Sequence, residues 1–251
     1  MARLRNLWHS IFSVADLAAR HRCSGYNSAY LSDARSVEQY LAEWRGKVAA
    51  ARTDLEGPRA QRIIEGNSPF VLKPDTPGRP QRGILMVHGL SDSAFLVREI
   101  AEFFRQQGFY VFAMLLPGHG TRPGDLLEIR WQDWLQAHQH ALDLLGEEVD
   151  DIYLLGFSAG AALNIYQALH HRAIKALFLF SPALRVRRLA ALACPLSRLG
   201  RVWERFNWLD LQPDDDHFKY ESLSNQAICE AYRLVKALRR RRARNRLQTP
   251  V

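Results

Sequence analysis

The chain has 251 residues, of which 47% are hydrophobic and 24% charged; these values exclude a disordered chain and allow one substantial buried core. The formal net charge is +8, but seven of the excess charges fall between Lys236 and Arg246, which excludes a uniformly basic nucleic-acid-binding surface. The three cysteines, Cys23, Cys194 and Cys229, are odd in number and widely spaced, so neither a disulfide framework nor a metal site is expected and a reducing compartment is the simpler reading.

At the N-terminus the stretch from Leu7 to Ala15 is interrupted by His9, Ser10 and Ser13, and Asp16 follows it. A surface helix is expected there rather than an export signal. No apolar run approaches the ~18 residues that span a bilayer, and the expected location is the cytoplasm. Val37, Tyr40, Leu41, Trp44 and Val48 share one helical face, with Ser36 and Gln39 placed for a capping box. A linker is expected around Leu55 to Pro58, an extended segment from Ile63 to Leu72, and a Pro- and Gly-rich turn region from Lys73 to Arg82.

A regular rhythm then begins. Gly83 to Val87 reads as a buried strand ending at His88-Gly89. Ser93 is placed to cap a helix that runs to Gln107 and ends at Gly108. Phe109 to Leu116 is a second strand, stopped by Pro117-Gly118-His119-Gly120. Trp131, Trp134, Leu135, His138, Leu142 and Leu145 share a helical face; strands follow at Ile152–Phe157 and Ile174–Phe180, with a small-residue helix from Ala159 to His170 between them. This alternation predicts an α/β fold, a mostly parallel sheet with helices on both faces. Right-handed crossovers put the carboxyl ends of all these strands on one edge, where ligands bind in such sheets. His88-Gly89, Pro117 to Gly120, Ser158 and Ser181-Pro182 converge there.

From Ala183 to about Tyr232 the rhythm breaks and aromatic, basic and acidic islands alternate, including Asp214 to Asp216. The stretch is too long for a simple connection and reads as a helical cap. The expected organisation is an N-terminal helical extension over 1–62, a core over 63–182, a cap over 183–235 and a basic helix end over 236–251. The basic end reads as solvated. A weak peripheral contact with anionic lipid through it and the N-terminal segment is the alternative.

Gly156-Phe157-Ser158-Ala159-Gly160 matches Gly-x-Ser-x-Gly between a buried strand and a helix. On such a turn the serine is the expected nucleophile. Glycines two residues to either side avoid a Cβ clash, and the helix N-terminus faces a developing oxyanion. No Gly-x-Gly-x-x-Gly follows a strand and no Gly-Lys-Ser/Thr occurs, which argues against a nucleotide-binding turn.

With His88-Gly89-Leu90, Pro117-Gly118-His119-Gly120, the Ser158 motif and Phe180-Ser181-Pro182-Ala183, the stretch from Gly83 to Pro182 resembles the α/β-hydrolase superfamily. Within it, the stretch is most similar to carboxylesterases, monoacylglycerol lipases and the serine aminopeptidase-like group. The resemblance implies a Ser-His-Asp acyl-transfer mechanism in which Ser158 attacks an ester or amide carbonyl and the backbone N–H groups of Leu90 and Ala159 form the oxyanion hole. His88, Gly89 and His119 on the sheet edge and Trp203 and Phe206 in the cap are the expected substrate-side residues. The expected substrate is a small-molecule ester or lipid-like compound with an apolar acyl group. No metal or organic cofactor and no nucleic acid is implied, and the oligomeric state is left open.

The superfamily's order along the chain is Ser, then Asp or Glu, then His. Here Leu247-Gln248-Thr249-Pro250-Val251 look like the start of the acid-bearing strand, so the acid and base are expected to be missing and activity impaired. His217 in the cap and His119 on the edge are the nearest substitutes. His138 and His140, two apart on a helix, make a poor metal pair. A non-catalytic ligand-binding or interaction module on the same scaffold is the competing expectation.

Overall fold

The computed structural model describes residues 19–30, 32–75, 77–171, 173–185, 188–211, 217–242 and 249–251. The expected N-terminal surface helix, Asp214 to Asp216, Arg244 and Arg246 lie outside the described residues.

The N-terminal helix α1 (Val37–Ala51) starts where Ser36 accepts a hydrogen bond from the Gln39 N–H at 3.2 Å, while the Gln39 side chain accepts from the Arg35 N–H at 2.8 Å. The reciprocal cap forms one residue earlier than expected. Tyr40, Trp44 and Val48, spaced four apart on α1, are fully buried. A second helix, α2 (Pro58–Asn67), occupies the first half of the segment expected to be extended. Gly57 takes φ 74° just before it and Pro58 supplies the fixed φ that suits a first helical position. Its mixed pattern reflects a helix with a narrow buried stripe. Only Phe70–Leu72 of that segment forms a strand, β1.

The remaining core strands are β2 (Arg82–Val87), β3 (Phe109–Ala113), β4 (Asp151–Phe157) and β5 (Ile174–Phe180). Helices α3 (Arg98–Gln106), α4 (Trp131–Glu148) and α5 (Ala159–Ala168) connect them. The sheet order is β1-β3-β2-β4-β5; every pairing is parallel except that of β1 with β3. The period-two alternation of β2 divides the core. Ile84 and Met86 pack with Val97, Ala101 and Phe104 on one face, and Leu85 and Val87 pack with Trp44, Trp134 and Leu163 on the other. Helices therefore cover both faces, as the sequence rhythm requires. Among the described residues β5 pairs with β4, and its Leu177 N–H donates to the Pro250 carbonyl at 2.9 Å.

The cap is not wholly helical. It contains α6 (Ala193–Leu199), a two-stranded antiparallel ribbon of β6 (Trp208–Asp210) and β7 (Ser222–Ser224), and the long helix α7 (Asn225–Arg242). α7 is tied to the core by Glu230, which is buried and accepts a hydrogen bond from the Trp131 N–H at 3.1 Å. It thereby supplies an acceptor and a negative charge to the N-terminus of α4.

Two cysteines expected to be free are joined. Cys194 on α6 and Cys229 on α7 form a disulfide across 35 residues, with their Cα atoms 4.8 Å apart. The packing of α6 against α7 brings them together, and sequence spacing carries no trace of that contact. The inference of a reducing compartment loses its ground. No helix among the described residues is long and apolar enough to cross a membrane.

Candidate active site

β4 ends at Phe157 and α5 begins at Ala159, so Ser158 makes the whole turn. Its backbone sits at φ 48°, ψ −108°, a region that costs a non-glycine residue about 1–3 kcal/mol and persists only where surroundings enforce it. Here they do. The Ser158 N–H donates to the Phe180 carbonyl at 3.0 Å, and the Ser158 carbonyl accepts from the Ala162 and Ala183 N–H groups, each at 3.1 Å. A Cβ on Gly156 would stand 2.7 Å from the Ala161 backbone, and one on Gly160 would stand 2.4 Å from the His88 carbonyl oxygen. The flanking glycines are therefore required by backbone contact. The Ser158 side chain is exposed, and Ala159, as the first residue of α5, keeps an N–H without an intrahelical acceptor.

The loop after β2 lies against this turn. A Cβ on Gly89 would come within 3.5 Å of the Ser158 Cβ and 2.6 Å of a carboxylate oxygen of Asp92. His88 is fully buried and holds the loop in place. Its Nε2 accepts from the Leu116 N–H at 3.1 Å, which leaves the proton on Nδ1 to donate to the Gly89 carbonyl at 2.8 Å. Burial, with His119 close by, depresses its pKa to about 3. His88 is thus a neutral bridge between two loops, with both nitrogens spent on backbone.

His119 is also fully buried. Its Nδ1 pairs with the Pro117 carbonyl at 3.0 Å, its Nε2 has no hydrogen-bond partner among the described residues, and burial lowers its pKa to about 4. The ring lies 4.9 Å from that of His88 and is stacked 6.2 Å from Tyr220. The Tyr220 hydroxyl donates to the Gly118 carbonyl at 3.0 Å and accepts from the Thr121 N–H at 3.1 Å. The Tyr220 N–H donates to the Ser91 carbonyl at 2.8 Å. Tyr220 thus staples the cap across both loops of the sheet edge, a role the sequence pattern did not mark. Asp125, fully buried, organises the far side of the same loop by accepting from Ser24 N–H at 2.6 Å, Ser24 Oγ at 2.8 Å and the Thr121 hydroxyl.

Three serines at this edge, Ser91, Ser158 and Ser181, have positive φ of 72°, 48° and 45°. They follow β2, β4 and β5, so the strained backbone of the core concentrates where the sequence motifs converge.

Of the other nominated residues, Trp203 and Phe206 form an edge-to-face ring pair on the cap, 6.2 Å between centroids. His217 lies beside Arg52, Lys219 and Glu221 in a cavity of about 420 Å³. His138 bonds to Asn164 Oδ1 at 2.7 Å, while His140 bonds to the Tyr30 hydroxyl and the Ala34 carbonyl, so the two do point apart. His21 is engaged with Ser222 and His170 with the Tyr166 carbonyl. Among the described residues, no histidine is hydrogen-bonded to Ser158.

A mostly parallel sheet with helices on both faces and a serine on the strained turn after β4 are the features of an α/β-hydrolase. The chain matches the Hydrolase_4 family model, described as serine aminopeptidase, S33, over residues 78–248, and it belongs to that family. It is 25% identical over 173 residues to a thermostable monoacylglycerol lipase of Bacillus sp. (strain H-257), covering 69% of this chain and 67% of that protein. Among solved structures it is similar to one reported for LipS and LipT, two metagenome-derived lipolytic enzymes, with TM-score 0.61 and 24% identity over 74% of each chain. It is also similar to a monoacylglycerol lipase of Paleococcus ferrophilus, with TM-score 0.56 and 22% identity over 73% of this chain and 75% of that one.

Proposed function

We propose that this protein is a serine hydrolase of carboxylic esters, with Ser158 as the nucleophile on a nucleophile elbow. The observation that carries this reading is the Ser158 backbone itself: a strained, exposed serine locked by three hydrogen bonds. In the proposed reaction, Ser158 Oγ attacks the carbonyl carbon as its proton passes to a base. The carbonyl oxygen becomes an oxyanion held by the N–H groups of Leu90 and Ala159. The alcohol then leaves with a proton, and water releases the acid from the acyl-serine. His88 and Gly89 fix the approach of the Leu90 N–H. The monoacylglycerol lipase relative and the apolar cap support an apolar acyl group as substrate.

Among the described residues no histidine is hydrogen-bonded to Ser158, and where no triad base acts, an oxyanion hole and binding alone supply roughly 10³–10⁴-fold over water. That same observation favours a second reading, a module that binds the ester or its acid without cleaving it.

Labelling with a fluorophosphonate probe, read by mass spectrometry, separates the two. Slow covalent labelling at Ser158, absent in Ser158→Ala, supports the hydrolase. Binding of a fatty-acid ester that Ser158→Ala leaves unchanged, with no labelling of the wild type, supports the binding module.

A further inference from the structure

The cavity of about 420 Å³ that holds His217 is walled by segments far apart in sequence: Ala19–Arg20, Arg52–Asp54, Thr121–Pro123 and the cap stretch His217–Glu221. Among its described lining residues are none of Ser158, Leu90 and Ala159. Each segment brings one cation: Arg20, Arg52, Arg122 and Lys219. Asp54 and Glu221 are the carboxylates in the wall. Two further acids stand nearby. Asp92 lies 4.0 Å from the Lys219 ammonium, and Asp125, behind Thr121, has its oxygens engaged by Ser24 and the Thr121 hydroxyl. Arg52, with its side chain 9% exposed, grips both oxygens of Asp54 through Nε and Nη2, at 2.9 and 3.1 Å. Arg122 Nε donates to the Ala51 carbonyl at 2.8 Å, and its Nη2 donates to the Thr53 hydroxyl. Both guanidinium groups are thus fixed by the fold, and among the described residues both keep Nη1 for another acceptor. Arg20 Nη1 reaches Glu221 at 2.6 Å, which leaves its Nε and Nη2 in the same condition.

A carboxylate is planar and one guanidinium fork satisfies it, whereas a phosphate monoester offers three terminal oxygens and close to two negative charges. Donors converging from separate segments match the second shape. Tyr220 and Pro123 add an apolar wall, and the volume falls in the range of about 300–1,000 Å³ that takes a small organic ligand. We propose that this cavity binds a small organic phosphate monoester, its phosphate held by Arg20, Arg52, Arg122 and Lys219. The site spans the seam between core and cap, beside the Tyr220 hydroxyl that bonds Gly118 and Thr121. A bound phosphate therefore ties the cap stretch to Arg52 and Arg122 and stabilises the folded chain by mass action. The proposal stands whether or not Ser158 is a nucleophile.

Isothermal titration calorimetry of the full chain at fixed ionic strength tests this, with phenyl phosphate, inorganic phosphate and benzoate as probes. Phenyl phosphate is expected to bind one-to-one with Kd below about 1 mM and to raise the melting temperature. Benzoate is expected to bind at least about ten-fold more weakly, because it lacks the third oxygen and the second charge. Inorganic phosphate is expected to fall between them, since it leaves the apolar wall uncovered. The Arg20 and Lys219 side chains are about half exposed, so Arg20→Gln/Lys219→Gln should fold as the wild type does and bind phenyl phosphate about ten-fold more weakly. Lys219→Gln alone is expected to give about a three-fold loss, and it decides the matter if the double variant melts early. The proposal is overturned if phenyl phosphate shows no saturable binding up to about 10 mM, or if benzoate or inorganic phosphate binds as tightly as phenyl phosphate does. It is equally overturned if folded Arg20→Gln/Lys219→Gln, or Lys219→Gln in its place, binds phenyl phosphate with wild-type affinity, because the ligand would then lie elsewhere.

Discussion

Gly89 lies next to Ser158: a Cβ built on Gly89 would stand 3.5 Å from the Ser158 Cβ and 2.6 Å from an Asp92 carboxylate oxygen. The loop after β2 and the turn after β4 are thus so close that a single methyl group on Gly89 would bring them into van der Waals contact. Gly89→Ala is expected to displace the Asp92 carboxylate, which as a side-chain end can rotate away, so global stability should change by no more than about 1 kcal/mol. The methyl group would narrow the space beside Ser158. The expected outcome is fluorophosphonate labelling of Ser158 slowed by about ten-fold or more, since small displacements at a reacting centre are costly. Labelling at the wild-type rate would remove Gly89 from the site.

Gly160→Ala should behave differently. The new Cβ would meet the Val87 and His88 carbonyl oxygens at 2.5 and 2.4 Å, and backbone of a central strand cannot rotate away. A loss of about 2–4 kcal/mol is expected from overpacking, read as a lower urea midpoint. A change below about 0.5 kcal/mol would mean that α5 and β2 are less closely apposed than described.

Acid sensitivity follows from three buried imidazoles. Burial depresses His88 to about 3 and His119 and His138 to about 4, from an ordinary value of 6.5. The folded protein keeps them neutral while the unfolded chain takes up protons near 6.5. Their stabilising contribution is therefore complete above that value and is lost as pH falls toward about 4 and then 3. The urea midpoint should drop steadily over that window. His138→Gln, which can still donate to Asn164, should flatten part of the slope. A midpoint insensitive to pH between about 6.5 and 4 would contradict the burial of these rings.

The Cys194–Cys229 bridge closes a 35-residue separation, for which the loss of unfolded-chain freedom corresponds to roughly 3–4 kcal/mol. Reduction, or Cys194→Ser, should lower the melting temperature by several degrees, on the order of 5–10 °C for a chain of this size. Thiol titration under denaturing, non-reducing conditions gives the direct check: one reactive thiol is expected, on Cys23, and three would show that the pair is reduced.

Much of the core was legible in the sequence because its signals are local. Gly83–Val87 and Ile174–Phe180 are short apolar runs bounded by turn residues, and the structure places strands at Arg82–Val87 and Ile174–Phe180. The Gly-x-Ser-x-Gly spacing likewise states its own geometry, since a glycine two residues either side of Ser158 answers a clash two residues away. The segment from Ile63 misled because α2 buries little beyond Ile63, Gly66 and Asn67, too few residues for a helical period to stand out.

What the sequence by itself determined is therefore the identity and chain order of the four parallel core strands, the turn that bears Ser158 and the edge on which it lies. Each of these follows from residues within a few positions of one another. The tertiary structure alone decided the approach of Gly89 to Ser158, the neutral His88 bridge to Leu116, the Tyr220 staple from the cap and the Cys194–Cys229 bond. Those contacts join residues from about 30 to 100 positions apart. They exist because packed layers bring distant segments within a bond's length, and no local period or spacing encodes that.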